Sequence, residues 1–340
     1  MATPLLNALL TRWPEAQITW VADTQYAGIL ENHPLIHELV AVDTGRWRRL
    51  LRHGRLFAWS AEARHLHSEM WRRQFDIAIN FHPEKWWMRI LCVAPVRIAL
   101  FASRKPPLTQ RLYTLVVSES AAGADHNTDR YLEIATALGC PPASKAMTIG
   151  ETPDEEPFWD SFCRREKIGQ DQPVVVLAPF ATTENRVWET DRLAQIVEWL
   201  QGDCGARVVL TAGPKEAAAA GQIVQLVAGR SPIVAETLTL RQYIAVLRGA
   251  SLVICGDSSP MHLAGALGTP YVALFGPTPV AGRAPLSGIG LALAKPLPCA
   301  PCDQSGCSNP IFRECLKLIT VADVQAAVLA LMPSLRRKET

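Results

Sequence analysis

The 340-residue chain has no run of about 18 uncharged apolar residues, so no membrane-spanning helix is expected. Residues 1–14 lack the basic segment and apolar stretch of a secretory leader. No 20–50-residue repeat and no low-complexity tract occurs, which argues against a solenoid. Charge is sparse and balanced: 34 Lys and Arg stand against 32 Asp and Glu, a net +2, too even for a dedicated nucleic-acid binder. With 49% hydrophobic and 19% charged residues, global disorder is excluded and sizeable cores are expected. Of the nine cysteines, Cys92, Cys140, Cys163, Cys204 and Cys255 are isolated, as reduced thiols in a cytoplasmic protein would be.

What is present is alternation. Apolar runs at residues 17–22, 39–43, 76–81 and 97–100 read as strands, with helical spacing over 45–73 and 84–94 between them. Residues 141–157, rich in Pro, Glu, Asp and Thr, read as a linker. The rhythm then restarts. Strands are expected at 174–178, 207–211, 252–255 and 271–275, and helices at 190–200, from about 215, and at 239–248, 260–267 and 321–331. This predicts an α/β protein of two doubly wound, Rossmann-like lobes, 1–150 and 151–340, facing each other across a cleft. Residues 5–12 open the chain as a helix where a parallel lobe normally opens with a strand, so the N-terminal lobe reads as lacking its first strand.

The polar residues gather at expected strand ends. After strand 252–255 come Asp257, Ser258, Ser259 and His262, at the start of a small-residue helix. Two hydroxyls and a free helix N-terminus suit an anion such as phosphate, and Asp257 can accept from sugar hydroxyls. Taken singly these are equally capping and turn residues. The neighbouring strand ends in Gly276-Pro277-Thr278. After strand 174–178, Thr182, Thr183 and Arg186 suit a diphosphate, with Arg186 as a planar charged partner. Lys215 and Glu216 form a third, weaker polar loop.

Together these residues resemble the heptosyltransferase family, inverting glycosyltransferases that build the inner core of bacterial lipopolysaccharide. The resemblance runs from about residue 1 to 330. It is carried by Asp257-Ser258-Ser259-Pro-Met-His262, by Ala266-Leu-Gly-Thr-Pro270, by Leu274-Phe-Gly-Pro-Thr278, and by the loop from Thr182 through Arg186 to Trp188. It implies the GT-B fold, an N-terminal acceptor lobe and a C-terminal nucleotide-sugar lobe, and ADP-heptose as donor. Thr182, Thr183 and Arg186 would hold the diphosphate. Asp257, Ser258, Ser259 and His262 would hold sugar and phosphate, beside Gly276, Pro277 and Thr278. Leu238, Lys215 and Glu216 would border the nucleoside. Arg186 would stabilise the leaving group without a metal ion. Ser259 stands where the family usually has glycine, and Arg186 where it usually has lysine, so the donor could be another nucleotide-sugar.

The family's proposed base is an aspartate in a Gly-Asp pair just before a Thr-Pro-Leu-Leu helix. Here Thr3-Pro4-Leu5-Leu6 is present and that aspartate is not. An upstream start, or a catalytically impaired paralogue, would account for this. Asp23 and His82 lie near expected strand ends without being assigned the role. The acceptor is expected to be an anionic glycolipid, or a protein as for autotransporter-type relatives.

Two features remain. Cys299, Cys302, Cys307 and Cys315 offer four soft ligands within 17 residues, enough for a structural tetrahedral site, zinc first and iron second. Reduced or disulfide-paired thiols are the alternative. Residues 46–73 hold eight arginines against Glu62 and Glu69, interleaved with Trp47, Phe57, Trp59 and Trp71. This suits peripheral contact with the inner face of the inner membrane, or a solvated helix face. Single-stranded nucleic acid would also suit the pattern, but is not the expected partner.

Overall fold

The computed structural model describes residues 1–83, 85, 88, 91, 93–101, 111–118, 126–140, 144–236 and 238–333. The expected helix over 84–94 falls largely outside the described residues, as do Cys92 and residues 141–143 of the expected linker. The chain divides into two units. One comprises Met1–Leu30 and Pro34–Lys145, the other Glu31–His33 and Ala146–Thr340. Among the described residues, no helix is long and apolar enough to cross a membrane.

The first unit runs α1 (Pro4–Arg12), β1 (Thr19–Asp23), α2 (Thr24–Ala27), β2 (Glu38–Val42), α3 (Thr44–Arg52), α4 (Leu56–Arg72), β3 (Ile77–Asn80), β4 (Val96–Phe101), β5 (Leu115–Ser118) and α5 (Asn127–Ala137). Residues 45–73 form two helices rather than one, because the chain turns at Gly54, whose φ of 66° favours glycine. The strands are parallel but lie in two separate sheets, β2-β1 and β3-β4-β5. Two cores follow the split. Leu5, Leu9, Ile98, Leu100 and Ile134 pack α1 and α5 on the three-stranded sheet, while Val42, Trp47, Leu66 and Met70 pack α3 and α4 beside β2. β1 is only half-buried along its whole length, as expected of a strand paired on one edge.

The second unit runs α6 (Glu155–Arg165), β6 (Val174–Ala178), α7 (Thr190–Gly202), β7 (Arg207–Thr211), α8 (Ala217–Leu226), β8 (Ile233–Ala235), α9 (Leu240–Gly249), β9 (Leu252–Gly256), α10 (Ser259–Leu267), β10 (Tyr271–Phe275), α11 (Val280–Arg283), β11 (Gly290–Ala294), α12 (Glu314–Lys317) and α13 (Val321–Leu331). One parallel sheet has the order β11-β10-β9-β6-β7-β8. β6, β9 and β10 are continuous apolar runs because both sheet faces are covered, and every residue in them is buried.

The expected linker 141–157 is corrected at its end. Glu155–Pro157 lie in α6, and Glu155 is buried because Arg241 and Arg248 pair with its carboxylate at 2.8 and 2.9 Å. Local signals set the helix ends. Thr239 and Gln242 form a capping box on α9, Thr320 and Asp323 another on α13, and Gly268 closes α10 in the left-handed region.

Candidate functional site

In the second unit the chain runs β6, β7, β8 towards one edge of the sheet, then returns to place β9, β10 and β11 on the other side of β6. The direction reverses between β6 and β9. In open parallel sheets, ligands bind beyond the carboxyl ends of the strands at this reversal. The two loops that leave β6 and β9 there carry Arg186 and Asp257.

Arg186 Nη1 lies 3.5 Å from Asp257 Oδ2. Asp257 is only 6% exposed, whereas the Arg186 side chain is 30% exposed and reaches solvent. The loops approach closely because residue 256 is glycine: a Cβ there would stand 3.0 Å from the Arg186 carbonyl oxygen. Thr183 Oγ1, Arg186 Nε and Thr278 Oγ1 are buried without a hydrogen-bond partner among the described residues. Buried polar atoms without partners are few in folded proteins, and here they stand on two loops, after β6 and after β10, on either side of the β9 end.

The remaining expected residues are distributed around this centre. Ser258 is the N-cap of α10 but makes no capping bond; near the helix N-terminus its hydroxyl donates to the Gly256 carbonyl at 3.5 Å. Ser259 is exposed in the first turn, and His262 is half-buried one turn on. Gly276, Pro277 and Thr278 are buried after β10. Gly276 has a packing reason, since a Cβ would meet Leu316 Cγ at 2.8 Å. Thr182 is exposed in the β6 loop. Lys215 is exposed and Glu216 is the N-cap residue of α8, both beyond β7, while Leu238 is half-buried just before α9. Asp23 is already engaged: it caps α2 through Gln25 N at 3.1 Å and accepts from the Thr44 hydroxyl.

Three residues that sequence reading missed hold the Arg186 loop. Asn185 is buried and donates to the carbonyls of Gln304 at 2.9 Å and Gly306 at 3.3 Å. Arg313 donates to the carbonyls of Val187 at 2.7 Å and Glu184 at 3.2 Å. Asp303 donates its N–H to the Pro277 carbonyl at 2.7 Å and sets a carboxylate 3.9 Å from Arg186. No spacing in the sequence pairs residues 184–187 with 303–313, which lie more than a hundred positions apart. The segment holding the four cysteines is therefore a brace under the β6 loop.

Cys299, Cys302, Cys307 and Cys315 are free and line one cavity together with Asn185 and Pro277. The expectation of a metal there is corrected: among the described residues, no group of three or more Cys, His, Asp or Glu stands where it could hold an ion. Burial pushes the Cys315 thiol pKa up, with the neighbouring Cys307, Cys299 and Cys302 adding to it and a hydrogen bond with the Leu316 backbone opposing it. The thiols are also used locally: Asn309 donates to Cys299 Sγ at 3.2 Å and the Arg313 N–H to Cys307 Sγ at 3.4 Å.

Residues 64–312 match the model of glycosyltransferase family 9 (heptosyltransferase), most of the chain and both loops of the site. The chain belongs to glycosyltransferase family 9. It is 26% identical over 345 residues to lipopolysaccharide heptosyltransferase 3 of Escherichia coli, covering 98% of this chain and 96% of that protein. A glycosyltransferase family 9 crystal structure from Veillonella parvula superposes with a TM-score of 0.83 at 21% identity, covering 98% and 93% of the two chains. The E. coli heptosyltransferase WaaC with ADP superposes at 0.71 and 19% identity, covering 97% and 95%. The α/β GT-B fold, with parallel sheets in each unit, is thereby shown for this chain.

Proposed function

We propose that the second unit binds ADP-heptose and that the protein transfers the heptose, with inversion, to an anionic lipopolysaccharide inner-core acceptor. The observation that carries this reading is the Arg186–Asp257 pair at the sheet reversal, with partnerless Thr183 and Thr278 hydroxyls beside it. Its support from relatives is family membership and the ADP held by E. coli WaaC.

The chemistry follows from charge. A diphosphate leaving group gains negative charge as the bond to the anomeric carbon breaks. Arg186 offers a fork of N–H donors for two of its oxygens, and the α10 N-terminus adds the positive end of a helix dipole. Both are fixed before reaction, so they stabilise developing charge with little reorganisation. Thr182, Thr183 and Ser258 supply neutral donors to the same phosphates. Asp257, held in place by Arg186, accepts from heptose hydroxyls and fixes the sugar so that the acceptor oxygen attacks opposite the leaving phosphate: the new C–O bond forms as the bond to the diphosphate breaks, and the acceptor hydroxyl's proton leaves to water. Arg186 is thus shared between Asp257 and the diphosphate. His262, Thr278 and Ser259 complete the polar wall, and Leu238, Lys215 and Glu216 border the nucleoside. No step in this scheme requires a metal ion.

Calorimetric titration tests the donor. ADP-heptose is expected to bind more tightly than UDP- or GDP-sugars, and Asp257→Ala to weaken it. Unchanged affinity in Asp257→Ala would remove Asp257 from the site. Tighter binding of another nucleotide-sugar would reassign the donor.

A further inference from the structure

In the first unit, α4 turns Ala63, Leu66 and Met70 inward against the core of Val42 and Trp47. Its other side is unusual. Phe57 is 93% exposed and Trp71 67% exposed. With Arg64 they sit at i, i+7 and i+14, so all three lie along one stripe, with about 21 Å between its ends at 1.5 Å per residue. The junction leading into α4 is also exposed, with Arg52, His53, Arg55 and Leu56 around Gly54.

The charges on this face are largely uncompensated. Arg46 pairs with Glu62 at 2.9 Å, Arg49 with Asp43 at 3.6 Å and Arg73 with Glu38 at 2.6 Å. Arg52, Arg55, Arg64 and Arg72 have no ion-pair partner among the described residues. Among the described residues, Arg64 donates to the Ser60 carbonyl of its own helix, at 3.3 Å.

We propose that the outer face of α4, with the α3–α4 junction, is a docking surface for an anionic lipid bilayer. Exposed aromatics beside arginines on one helix face supply both the apolar insertion and the charge attraction that hold a helix at an anionic membrane interface. The arginines meet lipid phosphates, while Leu56, Phe57 and Trp71 enter the boundary between headgroups and acyl chains. Arginines alone would suit any polyanion; the aromatics decide. At opposite ends of the stripe, Phe57 and Trp71 are too far apart to stack successive bases of a single strand.

The test is sedimentation of the full chain with vesicles, which reads neither donor binding nor transfer and so fails separately from the donor reading. Binding is expected to vesicles of phosphatidylcholine with phosphatidylglycerol at low salt, and not to phosphatidylcholine alone. Arg64→Gln and Arg72→Gln should each weaken it about fivefold. Phe57→Ser and Trp71→Ser should weaken it while leaving its salt dependence unchanged. Both side chains are solvated, so these variants keep the fold, and an unchanged melting curve checks that. Wild-type binding by Phe57→Ser and Trp71→Ser, or tighter binding to a single-stranded oligonucleotide than to the anionic vesicles, would overturn the proposal.

Discussion

Arg186 stands 3.5 Å from Asp257, one residue from each of the two loops that flank the sheet reversal. The guanidinium faces the buried Asp257 carboxylate through Nη1 and the exposed Asp303 carboxylate, 3.9 Å away, through Nη2, and part of the side chain reaches solvent. It is preorganised as an anion partner and oriented by Asp257.

Arg186→Ala should lower kcat/KM for sugar transfer by about a hundredfold, the usual cost of losing one preorganised donor to developing negative charge. Arg186→Lys should recover part of this, since it restores charge but not the two-pronged geometry. Steady-state kinetics with the two variants checks both. Equal loss in Ala and Lys would show that the fork matters and the charge alone does not.

The brace beneath the loop has its own signature. Arg313→Ala removes the donors to the Val187 and Glu184 carbonyls, about 1–3 kcal/mol of stability by the usual worth of charged hydrogen bonds. Donor affinity should fall with it, because the same loop carries Arg186. Denaturant unfolding and donor titration on one sample separate the two effects.

The fit between α6 and α9 can be tested at one atom. A Cβ on Gly249 would stand 2.3 Å from the Trp159 ring. Gly249→Ala is therefore expected to destabilise the second unit by about 1–3 kcal/mol through overpacking, read as a lower denaturation midpoint. Gly202, with nothing near its added Cβ, is the control position.

His33 gives a pH dependence. Burial lowers its pKa below the ordinary 6.5, partly offset by a hydrogen bond to the Thr148 backbone. As pH falls through 6.5 the unfolded chain takes up the proton first, so stability present above that value is lost on the acid side. The denaturation midpoint of His33→Gln should change less than that of the wild type between about pH 8 and about pH 5.5. Equal changes would contradict the assignment.

The cysteine segment should behave as free thiols. Cys299 and Cys302 are exposed and should be alkylated before the buried Cys140 and Cys255, whose thiols burial pushes up. Mass spectrometry of partially labelled protein reads the order. One equivalent of zinc or iron in purified protein would show that the four thiols close on a metal in solution.

Much of the second unit was legible in the sequence because its strands are fully buried. Val174–Ala178 and Tyr271–Phe275 are unbroken apolar runs between turn residues, Arg207–Thr211 sets Val208–Leu210 between an arginine and a threonine, and the limits of all three match the structure. β8 escaped because it has three residues, and β11, Gly290–Ala294, because an exposed edge strand of Gly, Leu and Ala has little strand propensity. α6 was hidden by its polar first turn of Glu155, Glu156 and Pro157, which resembles a linker until Arg241 and Arg248 are seen to neutralise Glu155. At the site, Asp257 and Arg186 announced themselves by residue type at strand ends. Asn185, Asp303 and Arg313 did not, since their importance lies in carbonyl partners far along the chain.

The most direct test of the account is calorimetric titration of ADP into the wild type, Arg186→Ala and a surface control such as Phe57→Ser. Saturable binding is expected to the wild type and the control, weakened at least about tenfold by Arg186→Ala. Absence of ADP binding to the wild type, or equal affinity in all three, would contradict it.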